Sequence, residues 1–375
     1  MSRHGRVLVA MSGGVDSSVT ALMMHEEGYE VIGVTMKTWD YADASGGKRI
    51  TGCCDLDSIA DARNMAVSRG FTHIILDIRE EFGGKIIGNF TSEYLAGRTP
   101  NPCVLCNTFI KWEALLKRAD MLECELIATG HYASVREEAG RWVVSKGLDT
   151  AKDQSYVLWG LTQESLARTR FPIGRFHKGE IRERAVQSGF PELAAKSESY
   201  EICFIPDNDY RGFLKRKHPE RLEQLAGGKL VGTDGAVLGE HDGYPFFTIG
   251  QRKGLGIAVG EPLYVTDIRP ETNTVVLGRK DDLDRQVMWV RTPNFQKLPA
   301  LNGPVEAVTK IRYKDRGTPS TLSMDGGRVK VEFHAPVKGI APGQSAVFYA
   351  GDDVLGGGFI DRAPANPEAP IASRP

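Results

Sequence analysis

The chain has 375 residues, of which 41% are hydrophobic and 25% are charged, as in a globular protein of more than one domain. Its 47 basic and 48 acidic residues give a net charge of −1, which excludes a general polyanion binder and leaves only local clusters to contact nucleic acid. No apolar run approaches the ~20 residues of a membrane helix, and a strand pattern begins too early for a signal peptide. We therefore expect a cytoplasmic protein with no membrane partner.

Short β-rich runs alternate with helical patterns from residue 1 to about residue 132. The predicted strands are Arg6–Met11, Glu30–Met36, His73–Ile78 and Glu125–Gly130. The predicted helices lie near Ser17–Glu27, Asp55–Arg69, Glu80–Leu95 and Thr108–Met121. This alternation predicts an α/β fold with a doubly wound parallel sheet. Ligands of such sheets bind outside the carboxyl ends of the strands.

The remaining chain changes character twice. A hairpin pattern at Arg141–Lys146 precedes helical patterns at about 162–170, 179–188 and 215–224, and residues 227–260 are rich in glycine. Short strand patterns that predict a small barrel follow at Val305–Tyr313, Arg328–Phe333, Gln344–Tyr349 and Val354–Ile360. We predict a catalytic domain over 1–212, a small β-rich central domain over 213–284, a C-terminal β-barrel over 285–362 and a disordered tail over 363–375.

The stretch Ser12-Gly13-Gly14-Val15-Asp16-Ser17-Ser18, here called the phosphate loop, follows the first predicted strand and precedes a helix. Its glycines allow a nest of backbone N–H groups at a helix start, which suits a phosphate. The loop lacks the lysine of the common phosphate-binding motif. Asp16 beside a phosphate indicates an intervening divalent cation. The heptad resembles the PP-loop of the ATP pyrophosphatases, which implies cleavage of ATP between the α and β phosphates and adenylation of a substrate oxygen.

Six cysteines in a cytoplasmic chain are expected to be thiols, metal ligands or catalysts. Pro100 and Pro102 predict an extended segment before a helix that begins near Asn107, which would place Cys106 near a helix N-terminus and favour its thiolate. Cys203, in an apolar run, fits either a core thiol or a catalyst. A zinc site that pairs Cys103-x-x-Cys106 with Cys53-Cys54 is an open alternative.

Several motifs occur in a fixed order along residues 6–360. They are Ser12–Ser18, Met36-Lys37-x-Trp39, Gly97–Pro102 with Cys106-Asn107, Ala128–Tyr132, Lys152–Tyr156, Ile202–Ile205, Thr248-x-Gly250–Gly256 and Pro342–Val347. Together they resemble the bacterial tRNA-specific 2-thiouridylases of the MnmA/TrmU type. The resemblance implies a PP-loop, HUP-like catalytic domain and ATP-dependent 2-thiolation of the wobble uridine of tRNA, with Mg²⁺ accompanying ATP and Asp16 as a candidate ligand.

The resemblance also implies site residues and partners. The implied ATP contacts are Ala10, Met11, Ser12, Gly13, Gly14, Val15, Asp16, Ser17, Met36 and Gly130. The residues implied to approach the target base are Asn101, Pro102 and Cys103. The implied tRNA contacts are His131, Lys152, Asp153, Gln154, Arg312, Tyr313 and Gln344. Cys203 would carry a persulfide received from a sulfur-donor protein, Cys106 would act as nucleophile or resolving thiol, and the protein would work as a monomer.

Cys103 departs from many relatives, which have an acid at this position. Either Cys103 has no role in the reaction, or Cys103, Cys106 and Cys203 ligate an iron–sulfur cluster with one open iron. Two other functions stay open from the residues: another PP-loop enzyme, such as an amidotransferase or ligase, and a non-catalytic RNA- or metal-binding protein. The first would not need the cysteine pair, and the second would leave the phosphate loop without a purpose.

Overall fold

The structure of the chain is a computed structural model that describes residues 3–39, 56–196, 202–205, 207–257 and 260–364. The zinc alternative that involves Cys53 and Cys54 lies outside the described residues, and so does the tail prediction from residue 365 onward. Within the described residues, no helix combines the length and apolar character needed to cross a bilayer.

A five-stranded parallel sheet forms the N-terminal domain, in the order β3-β2-β1-β4-β7. Its strands are β1 (Arg6–Ala10), β2 (Glu30–Lys37), β3 (Thr72–Asp77), β4 (Leu126–Ala128) and β7 (Thr169–Arg170). The four predicted strands are confirmed. The helix predicted over 162–170 is wrong in its second half, because it ends at Ala167 and Thr169 then pairs with Ile127 at the edge of the sheet.

Helices cover the sheet and connect its strands. They are α1 (Val15–Glu26), α2 (Leu56–Ser68), α3 (Arg79–Phe82), α4 (Gly88–Leu95), α5 (Pro102–Cys106), α6 (Trp112–Met121), α7 (Gln163–Ala167), α8 (Lys178–Gln187) and α9 (Pro191–Ala195). One π-helical turn joins α3 to α4 and another, Asn107–Lys111, joins α5 to α6. The α1, α2 and α8 predictions are confirmed within a residue or two.

The extended segment predicted before Asn107 is wrong. The helix already begins at Pro102, and Asn101 caps it by accepting a hydrogen bond from the Val104 N–H. Proline favours the first helical position, where it has no N–H to leave unpaired, so the same residue that suggested an extended chain starts a helix. Cys106 therefore ends α5 instead of lying before a helix.

The central domain begins with two helices and continues as a four-stranded sheet in the order β10-β11-β8-β9. The helices are α10 (Tyr210–Lys217) and α11 (Pro219–Glu223), and the strands are β8 (Gly228–Gly232), β9 (Val237–His241), β10 (Tyr264–Arg269) and β11 (Thr274–Gly278). This confirms a small β-rich unit after the catalytic domain.

Six antiparallel strands close into a C-terminal barrel through a pairing between the first and the last of them. They are β12 (Asp284–Phe295), β13 (Val305–Lys310), β14 (Thr318–Asp325), β15 (Arg328–Lys338), β16 (Ser345–Ala350) and β17 (Asp353–Asp361). The strand predicted to reach Tyr313 ends at Lys310, and a turn follows it. The predicted strand is therefore wrong at its end, and Arg312 and Tyr313 lie in the turn.

The hairpin of β5 (Ala133–Glu138) and β6 (Arg141–Lys146) follows β4 but joins the sheet of the barrel. Ser145 pairs with Asp353 of β17. The Asp353 carboxylate also accepts hydrogen bonds from Arg136 of β5 and from Lys297, which follows β12. The barrel and the hairpin of the catalytic domain are thus connected by a strand pairing and by partly buried ion pairs.

Candidate active site

The predicted phosphate loop lies where the first parallel strand meets the first helix. Strand β1 has β2 on one side and β4 on the other, so the chain order reverses at β1 and a crevice opens at the carboxyl ends of these strands. Met36 lies near the end of β2, and Gly130 and His131 follow β4. The sequence motifs from three strands therefore converge on one edge of the sheet.

The geometry of the phosphate loop depends on two glycines. Gly13 has a φ of +70°, and a Cβ at this position would lie 2.1 Å from the backbone oxygen of Ser58 in α2. Gly130 approaches from the other side, where a Cβ would lie 2.9 Å from the Asp16 carbonyl carbon and the Ser17 nitrogen. Both positions accept only glycine without movement of backbone, so the loop is held between α2 and the end of β4.

Hydroxyl groups complete the loop from within. The Ser12 N–H donates to Ser17 Oγ over 3.0 Å, and Ser17 Oγ donates to the Gly14 carbonyl over 3.1 Å. Ser18 Oγ is buried and has no hydrogen-bond partner within the described chain. The side chains of Met11 and Val15 are buried, so only the backbone of these residues can face a nucleotide. An orphaned hydroxyl beside a glycine cradle at a helix start fits a phosphate group.

Asp16 does not stand alone beside the cradle. Lys178 Nζ, at the first position of α8, lies 2.7 Å from each oxygen of the Asp16 carboxylate, and the Tyr132 hydroxyl donates to the same carboxylate over 2.8 Å. The Lys178 side chain is 11% exposed. The lysine that the loop lacks in sequence is therefore supplied in space, from 162 residues away.

A second lysine reaches the opposite side of the loop. Lys196 Nζ donates to the Gly13 carbonyl over 3.2 Å and forms an ion pair with Asp61 of α2. Lys178 thus balances the charge of Asp16, the acid that the sequence suggested as a Mg²⁺ ligand, whereas Lys196 balances that of Asp61. Mg²⁺ usually takes one or two carboxylates together with substrate phosphates. The single carboxylate of Asp16, already paired, fits a magnesium ion carried in by a nucleotide and not a resident metal.

His131 follows Gly130 after the end of β4 and packs against Trp112 of α6 and Phe171. Its ring is 5.6 Å from Trp112 and 5.9 Å from Phe171, and its Nδ1 lies 2.7 Å from Thr129 Oγ1. Desolvation, with a smaller contribution from the nearby Lys111 cation, lowers the pKa of His131 to about 3. The imidazole is therefore uncharged at neutral pH, and any contact with RNA would be a neutral hydrogen bond or a ring contact.

Helix α5, here called the cysteine helix, lies at the same edge because the α6 helix that continues it runs back to the start of β4. Cys103 is exposed at the surface, and desolvation raises the pKa of its thiol, which Lys111 partly opposes. Cys106 is only 8% exposed. The thiol of Cys103 is therefore neutral at neutral pH.

Cys106 belongs to a large apolar cluster that includes Phe82, Phe90 and Phe204, and the half-buried Cys203 packs against the same cluster. Two thiols distant in sequence thus belong to one apolar cluster, which also extends into the central domain. No set of three or more histidine, cysteine or acidic side chains within the described ranges converges as metal ligands would. The three-cysteine ligand set of the iron–sulfur alternative is therefore not assembled in this arrangement.

The predicted tRNA contacts divide into two groups. Arg312 and Tyr313 are exposed in the turn after β13. Asp153 is buried and accepts hydrogen bonds from the N–H groups of Gly147 and Ser155, and Gln154 Oε1 accepts from the Tyr132 N–H. The second group supports the site from within, and Lys152 is half-buried beside it.

Gln344, also predicted to contact tRNA, donates its amide to the carbonyls of Thr99 and Pro100 over 3.2 and 2.9 Å. The sequence did not predict this contact or the hydrogen bond from the Tyr156 hydroxyl to the Ser345 carbonyl. It also did not predict that Lys178 and Lys196 reach Asp16 and the phosphate loop. The only available signals were the position of Lys178 at a helix start and the presence of Tyr156 in an ordered motif.

A family model described as the tRNA methyl transferase HUP domain matches residues 5–207. The models for the tRNA methyl transferase PRC-barrel domain and the aminomethyltransferase beta-barrel domain match residues 211–279 and 285–360. These three ranges follow the parallel sheet, the central sheet and the closed barrel in order.

Among the relatives, a tRNA-specific 2-thiouridylase MnmA of Amoebophilus asiaticus is 65% identical over 359 residues, which covers 96% of each chain. The protein of the same name from Cytophaga hutchinsonii is 62% identical over 361 residues, 96% of this chain and 98% of the relative. That from Salinibacter ruber is 56% identical over 365 residues, 96% of this chain and 95% of the relative.

Proposed function

The chain belongs to the tRNA-specific 2-thiouridylase family, a group of sulfurtransferases that act on tRNA, and from this premise we propose that it uses ATP to replace the C2 oxygen of the wobble uridine with sulfur. A carbonyl oxygen is a poor leaving group, so the exchange requires activation of the oxygen and a sulfur nucleophile. The phosphate loop serves the first requirement, and the two cysteines serve the second.

The observation that carries the proposal is the presence of Cys106 and Cys203 in one apolar cluster, in a domain that also carries a phosphate cradle. An amidotransferase or ligase with the same cradle would have no use for two thiols in one cluster. Methyl transfer, which the family models name, would require neither ATP adenylation nor a thiol pair. Sulfur transfer to an adenylated oxygen uses both features.

In the first step the uridine C2 oxygen attacks the α-phosphorus of ATP, and pyrophosphate leaves. The N–H groups of the phosphate loop and the start of α1 hold the phosphates. The Lys178 ammonium group stabilises the negative charge that develops on the phosphates. Asp16 holds this ammonium group in place before the nucleotide binds, and the Tyr132 hydroxyl in turn orients the Asp16 carboxylate. Mg²⁺, when it arrives with ATP, neutralises phosphate charge.

In the second step the terminal sulfur of a Cys203 persulfide attacks C2, and AMP leaves. The Cys106 thiolate then attacks Cys203 Sγ, which gives a Cys106–Cys203 disulfide and releases the thiocarbonyl of the product. In the alternative order, Cys106 attacks the persulfide first and frees sulfide, which attacks C2. In both orders an external thiol reductant resets the disulfide, and a sulfur-donor protein reloads Cys203.

Recognition of the tRNA uses exposed groups on the barrel together with the target-base residues Asn101–Cys103. Phosphate contacts position the RNA, and the wobble base leaves its stack to reach the crevice. Arg312 and Tyr313 are exposed in the turn after β13, which suits this task. We propose that a single copy of the chain binds one tRNA.

The test is thiolation of unmodified tRNA with ATP, Mg²⁺ and a persulfide donor, followed by nucleoside mass spectrometry. We expect 2-thiouridine at the wobble position with the native chain and none with Cys106→Ser or Cys203→Ser. Cys124→Ala is the matched control, because the Cys124 thiol is buried, with 2% of the residue exposed, and belongs to a different apolar cluster.

Two outcomes would contradict the proposal. Thiolation that persists in Cys203→Ser would remove the persulfide role. AMP release that does not depend on tRNA in the native chain would show that the adenylated group is not the RNA. A disulfide between Cys106 and Cys203, found by non-reducing peptide mapping after a single turnover without reductant, would support the second step.

A further inference from the structure

The C-terminal barrel contacts the segment that leads into the cysteine helix. Gln344, in the turn before β16, donates its side-chain amide to the carbonyls of Thr99 and Pro100, the two residues before Asn101. The Thr99 N–H in turn donates to the Pro342 carbonyl over 2.8 Å. Three hydrogen bonds thus join the barrel turn to the start of the target-base segment.

The close approach of these two segments is built into the backbone. Gly343 has a φ of +91°, and a Cβ there would lie 2.8 Å from the Thr99 carbonyl oxygen. The turn itself is fixed to the barrel, since the Gly343 N–H donates to the Ile360 carbonyl and the Ile360 N–H donates to the Gln344 carbonyl. The barrel therefore presents a rigid edge to the segment.

A second path runs through the short 3₁₀ helix Ser155–Leu158. The Tyr156 hydroxyl donates to the Ser345 carbonyl of β16 over 2.8 Å, and the Asn101 side chain lies beside the same hydroxyl. At the other end of the cysteine helix, Asn107 Nδ2 donates to the Val157 carbonyl over 3.1 Å. The 3₁₀ helix thus lies between the barrel and both ends of the cysteine helix.

We propose that Gln344 and Tyr156 are positioning residues, through which the barrel fixes the cysteine helix and sets the placement of Cys106. The inference rests on the proposed role of Cys106 as the thiol that resolves the persulfide. Gln344 acts on the segment before Asn101, and Tyr156 acts on the Asn101 cap. Neither residue touches a reacting atom.

The physical argument is one of precision. Asn101 caps the first turn of α5, so a shift of Asn101 would rotate the helix that carries Cys103 and Cys106. Misplacement of a reacting group by about 1 Å can cost about 10²-fold in rate. Asn101 is held from two directions, by the Gln344 contacts to the preceding carbonyls and by Tyr156, and both directions begin on β16 or the turn before it.

The principal variant is Gln344→Glu, which keeps the shape of the side chain but places a carboxylate oxygen against two carbonyls. The matched control is Gln163→Glu, because Gln163 also donates its amide to two carbonyls, those of Trp142 and Gln296, at another part of the barrel contact. Tyr156→Phe removes only the hydroxyl and retains the buried ring, so it tests the second path if Gln344→Glu folds poorly.

The readout is the rate of Cys106 alkylation by iodoacetamide in enzyme free of tRNA and ATP, measured by peptide mass spectrometry. We expect Gln344→Glu and Tyr156→Phe to raise this rate about tenfold through local opening and to lower kcat for thiolation about 10²-fold. Affinity for tRNA and AMP release should match those of Gln163→Glu. Alkylation requires neither substrate, so its result is separable from failure of the thiolation reaction.

The proposal is overturned if the alkylation rate of Cys106 in both variants equals that of Gln163→Glu. It is also overturned if Gln344→Glu weakens tRNA binding while kcat at saturating tRNA is unchanged, since Gln344 would then be a simple RNA contact.

Discussion

The phosphate loop and the cysteine helix lie at the same edge of one parallel sheet, yet they are held in different ways. The phosphate loop is fixed by its own domain, through Gly13 against α2 and Gly130 against the start of α1. The cysteine helix is connected to the barrel at both ends: Gln344 donates to the Thr99 and Pro100 carbonyls before the helix, and Asn107 after it donates to the 3₁₀ helix whose Tyr156 donates to Ser345 of β16. In the proposed reaction, activation of ATP would thus be a property of the first domain, whereas sulfur transfer would depend on contact between domains.

We therefore expect the two half-reactions of the proposed mechanism to respond to different substitutions. Changes at the loop should abolish adenylation and leave the thiols as they are. Changes at the barrel contact should leave adenylation intact and affect the thiols. AMP release and 2-thiouridine formation are the two measurements that separate these effects.

The largest effect is expected for Gly13→Ala. The added Cβ would lie 2.1 Å from the Ser58 oxygen at a φ of +70°, so the loop must rearrange. We expect tRNA-dependent AMP release to fall by about 10³-fold, while the alkylation rate of Cys106 is retained. Gly70→Ala is the control, since Gly70 has a φ of +73° with no atom within 4 Å of its Cβ position.

The Gly70 variant should lose only about 1 kcal/mol of stability from the left-handed backbone and keep full activity. Normal AMP release in Gly13→Ala would mean that the cradle does not hold the phosphates.

A smaller loss is expected for Lys178→Met, which removes the cation beside the loop but not the backbone donors. We expect AMP release to fall about 10²-fold, as when one donor to developing charge is removed. The variant also leaves Asp16 without its cation, so the double variant with Asp16→Asn should recover stability and not activity. Lys85→Met, which breaks an exposed ion pair with Glu113, is the surface control.

If Lys178→Met reduced 2-thiouridine formation but not AMP release, the lysine would belong to the sulfur half of the site. The assignment of adenylation to the phosphate loop and its lysine would then be wrong.

The smallest effect is expected for Asp353→Asn, at the junction of the hairpin and the barrel. Hydrogen bonds from Arg136 in the first place, and from Lys297 and Ser145, hold the pKa of Asp353 well below its ordinary value. A depressed carboxyl pKa contributes stability above the unfolded value of about 3.9, and this contribution is lost as the pH falls further. We expect a loss of about 2 kcal/mol at neutral pH and a shallower decline of stability below about pH 4.

Urea unfolding at neutral and acidic pH measures both quantities. Because the junction supports the barrel, thiolation should decline more than AMP release in this variant. An equal decline in both would indicate that the junction supports the phosphate loop as well.

Much of the nucleotide region could be predicted because its determinants are local. Strand β1, the glycines and the first turn of α1 are contiguous, so their pattern in sequence is also their arrangement in space. Parallel alternation then placed Gly130 at the same edge, since strands of one direction end together. The prediction failed at Pro102, where proline suits both an extended segment and the first residue of a helix.

The supporting residues could not be predicted, because they act across long intervals of chain. Lys178 reaches Asp16 over 162 residues, and Gln344 reaches Pro100 over 244. No periodicity links such pairs. The neutral state of His131 was equally hidden, since it follows from burial between Trp112 and Phe171, and burial is a property of the fold alone.

The position of Gln344 near the end of the chain has a consequence for the order of synthesis. Domains fold as they leave the ribosome, N-terminal segments first. The residues of the parallel sheet and the phosphate loop emerge first, whereas β16, β17 and the turn that contacts Thr99 emerge more than 140 residues after Lys196. A nascent chain can therefore form the phosphate loop well before its cysteine helix is fixed. In the proposed reaction, adenylation could then become possible before sulfur transfer.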